Sequence, residues 1–230
     1  MACHALPFFC LLTSAATPAE PMRDRAPLPI GFGLVNGRPL FLDLASDSYF
    51  LLPECEAAQS LRPGSQPHGT ASILPDPDAP VSTGARQARP APITASALDL
   101  PLPNASFPIA VQFWRELVRA KRDLARLPLA QLLRPFAVPL AATEATVAQS
   151  VTQACAVAAA RDLIPQKRHC LTDSLALLRL LAKRELAATL VFGAKLDPFA
   201  AHCWVQAEGV LLNDRRDTVE RFTPVLTLPA

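Results

Sequence analysis

Charge of either sign is scarce in this sequence. Only 18% of its 230 residues are charged, and 22 basic side chains nearly cancel 20 acidic ones. So balanced a chain sets up no field that would gather nucleic acid or an anionic membrane surface, which leaves a peptide, a protein or a small molecule as partner. The six cysteines, Cys3, Cys10, Cys55, Cys155, Cys170 and Cys203, form no CxxC pair and read as reduced thiols rather than a disulfide framework. No run reaches the roughly 18 uninterrupted apolar residues of a membrane span. The apolar stretch LPFFCLLTSAATPA has no Lys or Arg before it, the first basic residue being Arg23, so a frayed start or a true start at Met22 is expected in place of a secretory signal. No internal repeat is visible, which excludes a solenoid. A soluble, cytoplasmic protein of one large or two small domains is expected, at about 100 to 150 residues per domain.

Proline is what the sequence has in excess. There are 24, about twice ordinary usage, and 11 fall between Pro53 and Pro108. The stretch Gly64 to Pro92 adds Ser, Thr, Asp and Gly with few large apolar groups, too little to offset its ordering entropy, and is expected to be mobile. The chain therefore divides into a flexible N-terminus (1–24), a β-rich segment (25–63), a Pro-rich linker or irregular connection (64–105) and a larger C-terminal domain (106–230).

In the first segment Asn36-Gly37 is the strongest short-range hairpin signal, because both residues accept the positive φ of a type I′ turn. Strands are predicted near Ile30 to Val35, Arg38 to Leu44 and Tyr49 to Leu52, and a short helix at Glu54 to Leu61. After the connection the period becomes helical. Phe107 to Leu127 carries Ile109, Phe113, Leu117, Ala120, Leu124 and Leu127 on one face, and its arginines largely off it make a solvated face the simplest reading. A second helix is predicted from Thr143 to Asp162 and a third from Cys170. Ala188 to Lys195 reads as a strand and AHCWVQAEGVLLND as a hairpin. With Ala207, Glu208 and Gly209 as a three-residue loop, Gln206 pairs with Val210, and His202 faces Asp214.

Three residues of that region suit thiol chemistry. A cysteine is nucleophilic as thiolate, a form favoured by a helix N-terminus and a neighbouring imidazolium. Cys170 heads a helix, His202 could take and return its proton, and Asp214 could orient the ring. Singly, each has a blander reading: a core thiol, a satisfied histidine, a carboxylate closing a turn. Zinc is the rival, since His169-Cys170 and His202-Cys203 supply four ligands. His202 and Cys203, however, point to opposite faces of a strand, so no metal is expected. Trp204 could wall the site, Gln166 could help the backbone N–H of Cys170 as an oxyanion donor, and Cys155 and Cys203 read as packing residues.

The run CLTDSLALLRLLAKRELAATLVFGAK followed by PFAAHCWVQAEGVLLND resembles the transglutaminase-like B proteins of lasso peptide biosynthesis, over about Ala141 to Leu228. HCWVQ stands where that family has HAWVE, a departure outside the three catalytic positions. The resemblance implies an α+β fold, a papain- or transglutaminase-like cysteine peptidase domain with helices packed on an antiparallel sheet. A small β-rich, winged-helix-like domain would precede it. It also implies a leader peptidase using Cys170 as nucleophile, His202 as base and Asp214 as orienting acid. Such an enzyme frees the core amine of a ribosomally made precursor for an asparagine-synthetase-like cyclase; it has no cofactor of its own, and any ATP requirement enters through that partner. The segment RPLFLDLASDSYFLL is similar to the strand pair of a leader-recognition element, which implies leader binding along Leu42, Leu44, Tyr49, Phe50 and Leu51 by strand addition. An acyl transferase of transglutaminase type and a non-catalytic leader-binding adaptor are the alternatives.

Overall fold

Asn36 and Gly37 both take positive φ, 51° and 74°, and this turn folds β1 (Gly31–Val35) back on β2 (Arg38–Asp43), with Val35 opposite Arg38. The computed structural model in which this is seen describes residues 30–51, 89–136 and 142–229. A second tight turn follows, in which Asp43 accepts from Ala45 N and Ser46 Oγ, each at 2.8 Å, and it delivers β3 (Ser48–Leu51) to the other side of β2. The result is a three-stranded antiparallel sheet in the order β1-β2-β3. The helix predicted at Glu54 to Leu61 and most of the Gly64 to Pro92 stretch lie outside the described residues.

The 64–105 connection has a structured end. Ala95–Ser96 forms a short strand, β4, and Ala97–Asp99 a 3₁₀ turn capped by Ser96, whose Oγ accepts from Leu98 N. Three longer helices follow close to the sequence reading. They are α1 (Phe107–Leu124), α3 (Glu144–Arg161), whose N-cap Thr143 exchanges hydrogen bonds with Thr146, and α4 (Cys170–Ala182). The short α2 (Leu129–Leu133) and α5 (Arg216–Val219) were not anticipated. On α1, Ala110, Phe113, Leu117 and Ala120 are buried, as the apolar period requires. Arg119 and Arg122 are not bare cations: they meet Glu116 and Asp123.

The second sheet runs in the order β4-β7-β6-β5-β8, from β5 (Thr189–Lys195), β6 (Ala200–Ala207), β7 (Val210–Leu211) and β8 (Thr223–Pro229). Its pairs are antiparallel except β4 with β7, so the sheet is mixed where an antiparallel one was expected. β8 was not anticipated, and its place at the edge of the sheet accommodates Pro224 and Pro229. One face of the sheet packs on α4 through Leu190, Phe192, Ala194, Cys203 and Val205. The other carries a smaller cluster of Val191, Trp204, Leu211 and Val219.

The two sheets share the larger core, because Val35, Leu40, Leu42 and Leu44 pack into it. Glycine makes the approach possible. A Cβ on Gly31 would lie 2.9 Å from Leu226 Cβ, and one on Gly33 2.8 Å from the backbone oxygen of Pro224, so β1 rests directly on β8 where any side chain would hold it off.

Candidate active site

Cys170 is the first residue of α4, and the loop before it is held by a buried cation. Arg161, at the end of α3 and 4% exposed, donates Nε to Asp173 Oδ1 at 2.7 Å, Nη1 to Ile164 O at 3.3 Å and Nη2 to Gln166 O at 3.0 Å. The other oxygen of Asp173 accepts from the backbone N–H of His169 at 2.8 Å. One guanidinium thus ties the end of α3, the 162–169 loop and the first turn of α4 together, which fixes where the thiol projects. The sequence reading passed over Arg161, since a charged residue closing a helix is ordinarily solvated; its burial depends on a partner 12 positions on.

On β6, His202 is 8% exposed, and its Nε2 lies 2.5 Å from Asp214 Oδ2. The hairpin that brings them together differs from the expectation. Ala207 pairs with Val210, so the loop has two residues, and Glu208 rather than Gly209 takes the positive φ, 49°. Gly209 serves close approach instead: a Cβ there would come within 2.9 Å of Pro92 O and Thr94 Oγ1. The ladder stops at Leu211, and Asp214 reaches His202 from the following turn. There Asp214 Oδ1 accepts from Arg215 N at 2.7 Å, and its carbonyl accepts from Ser96 Oγ at 2.7 Å. Strand β4 therefore steadies the carboxylate from a residue 118 positions away, a contact invisible in sequence.

Rings enclose the imidazole. Trp204 stacks over His202 with centroids 6.2 Å apart and Phe222 at 5.0 Å. Gly193 leaves room for both, as its Cβ would meet Trp204 Cζ3 at 2.7 Å and Phe222 Cβ at 3.1 Å. The Trp204 Nε1–H donates to Gln206 Oε1 at 3.0 Å, while Gln206 Nε2 donates to Ala91 O and Glu208 O. Position 206 must both accept and donate, which an amide does and a carboxylate cannot. This accounts for glutamine in HCWVQ.

Cys203 does pack in the core, and it also interacts with Cys170. Its Sγ lies 3.8 Å from Ser174 Oγ, and Ser174 sits one helical turn after Cys170, on the same face of α4. Asn213 holds this group by donating to Ser174 Oγ at 2.8 Å while accepting from Val205 N. The electrostatics follow from these contacts. The hydrogen bond from Cys203, then that of His202 and the imidazolium charge, hold the Cys170 thiol down at about 4 against its burial. Burial works to lower His202, but the hydrogen bonds and charges of Asp214 and Cys170 outweigh it and raise the ring to about 9. Cys203 moves the other way, well above the ordinary thiol range, through its hydrogen bond to Cys170 and its burial, and so stays a protonated donor. These shifts favour a thiolate on Cys170 and an imidazolium on His202, an arrangement able to attack an acyl carbon and protonate a leaving group.

Cys170, His202 and Asp214 are thus brought together, with Trp204 beside them. Gln166 stands half-buried in the pinned loop and is held by its backbone. Of the residues expected to bind a leader, Leu42 and Leu44 have to be withdrawn: each is 2% exposed and packed into the shared core, out of reach of a peptide. Tyr49, Phe50 and Leu51 are half-buried.

Residues 114–227 match the family model described as the transglutaminase-like superfamily. The microcin J25-processing protein McjB of Escherichia coli is 46% identical over 59 residues, a stretch that makes up 26% of this chain and 28% of that protein. No solved structure matches. A helix-borne cysteine packed on a sheet, with a histidine on β6 that meets an aspartate from the turn after β7, lies within the matched residues, and the domain they form belongs to the transglutaminase-like superfamily.

Proposed function

We propose that the chain is a lasso peptide B protein, a cysteine peptidase that removes the leader from a ribosomally made precursor. The observation that carries this is the buried His202–Asp214 contact beside a thiol held in its ionised form at the head of α4. The stretch shared with a microcin J25-processing protein supports the same substrate class. Cys170 Sγ adds to the scissile carbonyl carbon, and His202 delivers its proton to the amine as the C–N bond breaks. Water, deprotonated by the same ring, then hydrolyses the thioester to a free leader carboxylate. Asp214 holds the tautomer and stabilises the imidazolium throughout.

The freed amine is the group that a partner cyclase, asparagine-synthetase-like and ATP-using, would join to a side-chain carboxylate. The three-stranded sheet is the part suited to hold the leader, by strand addition at its edge in the manner of a winged-helix-like recognition element. Tethering such a module to the hydrolase raises the local concentration of scissile bond. Mass spectrometry of precursor incubated with the protein tests the reading. Leader ending in a free carboxylate supports it, an isopeptide product marks acyl transfer instead, and binding without any acyl-enzyme mass marks an adaptor.

A further inference from the structure

The three residues proposed for catalysis stand on separate pieces of chain: Cys170 on α4, His202 on β6 and Asp214 on the turn that follows β7. One amide touches all of these pieces. Asn213 Oδ1 accepts from the backbone N–H of Val205 on β6, and its Nδ2 donates to Ser174 Oγ on α4, both at 2.8 Å. Asp214 is its neighbour in the chain.

The sheet runs out here. The β6–β7 ladder pairs Gln206 with Leu211 and Ala207 with Val210, so Val205 lies just beyond it. Leu212 N still donates to Val205 O at 2.8 Å, but the chain then turns to carry Asp214 to His202, and the Asn213 side chain replaces the partner that a longer β7 would give Val205 N–H. A backbone N–H can only donate, which directs the amide oxygen to β6 and leaves its NH₂ group for α4. Aspartate could not make both contacts, since a carboxylate has no proton to give. Ser174 is wholly buried, and its hydroxyl is fully used: it accepts from Asn213 and, at 3.8 Å, from Cys203 Sγ, and it donates to Cys203 O at 3.3 Å.

From this geometry we infer that Asn213 is a positioning residue: acting with Ser174, one helical turn after Cys170, it fixes the spacing between the thiol on α4 and the His202–Asp214 pair on the sheet. The inference rests on the cysteine hydrolase reading above. The remaining ladder and the apolar contacts of α4 hold the domain together without the amide. A helix free to slide about an ångström against β6, however, no longer presents its first residue to the imidazole in one arrangement, and a misplacement of that size slows an alignment-dependent reaction by about 100-fold.

Alkylation by iodoacetamide, with the adduct at Cys170 read by peptide mass spectrometry, separates this role from a structural one in the full-length protein. Neither Asn213 nor Ser174 titrates. The ionisable groups that act on Cys170 or feel its charge are Cys203 and His202 on β6, Asp214 through His202, and Tyr49 on β3. Asn213→Ala and Ser174→Ala leave all of them in place, so a displaced pH profile reports altered geometry. Both variants are expected to move the acid limb of alkylation up by at least about one pH unit, and to slow p-nitrophenol release from p-nitrophenyl acetate by about 100-fold per folded molecule. Ser174→Ala is the milder change, since Val205 N–H keeps its acceptor, and it carries the test if Asn213→Ala does not fold. Gly33→Val, which loosens the N-terminal sheet instead, gives the baseline for lost stability alone. In Ser174→Ala, a limb displaced by less than about one unit, or no further than in Gly33→Val, or acylation within about tenfold of the parent, would overturn the assignment. His202→Ala, run alongside, reports on the reading beneath it: if the limb stays in place without the ring, the thiol–imidazole pair is wrong and Asn213 is not the fault.

Discussion

The two sheets of this molecule are held by opposite means. The N-terminal sheet docks through apolar residues and through glycines that let β1 touch β8, and its polar contact from Leu129 N to Asp47 is long, at 3.5 Å. Around β6 and α4, buried polar groups are matched by specific partners: Arg161 with Asp173, His202 with Asp214, Asn213 with Ser174, Gln206 with Trp204 and Ala91. Apolar docking is tolerant, since its energy is spread over many small contacts. A buried polar network is not, because each group left alone keeps its full desolvation penalty. Damage to the first region should therefore shift stability, and damage to the second should remove chemistry.

The sharpest test of that contrast is Cys170→Ala, expected to lower precursor cleavage by at least about 1,000-fold with a thermal midpoint within a few degrees of the parent. An active variant, or one that unfolds, would break the contrast at its strongest point. His202→Ala and Asp214→Asn come next, with losses of about 100- to 10,000-fold in kcat/KM.

The pH dependence divides the two members of the ion pair. The Cys170 thiol is depressed to about 4, so the thiolate is present above that pH; alkylation by iodoacetamide should hold steady through neutrality and fall about tenfold per unit below 4. His202 is raised to about 9 and loses its proton above it, so cleavage, which needs that proton for the leaving amine, should fall on the alkaline side while alkylation persists. Parallel alkaline limbs for the two reactions would contradict the assignment of His202 as acid.

In stability the larger effect is expected at Arg161→Met. It strands the Asp173 carboxylate and should cost about 3 to 5 kcal/mol by denaturant titration, with slower alkylation of Cys170 in whatever fraction stays folded. Gly33→Val pushes β1 off Pro224 O and should cost about 1 to 3 kcal/mol while leaving the alkylation rate per folded molecule unchanged. If both variants changed that rate equally, the division of labour between the regions would fail.

Local signals carried much of this. Asn36-Gly37 announced its turn through its need for positive φ, the helical period located α1 and α3, and Cys170 stood at a helix start with His202 and Asp214 downstream in a compatible order. What was missed depends on distant partners. Arg161 looks solvated until Asp173 folds over it. Ser96 sits in a stretch dominated by proline, and nothing in sequence links it to a carbonyl 118 positions away. The β6–β7 register was mistaken by one residue because Gly209 was taken for the left-handed position, whereas the crowding of Pro92 and Thr94 requires a glycine there and Glu208 supplies the turn. Leu42 and Leu44 were expected to bind a leader on the strength of a resemblance, which does not tell which face of the strand meets another sheet.

The grip of residues 91–99 on the hairpin has a bearing on how such a protein can be divided. Ala91 caps Gln206, Thr94 N donates to Gly209 O, and Ser96 anchors the backbone of Asp214. If the N-terminal sheet and the transglutaminase-like domain were made as separate polypeptides, the break would have to fall upstream of Ala91. A cut at the start of the first long helix would leave that domain with Cys170 but without the brace under the Asp214 carboxylate.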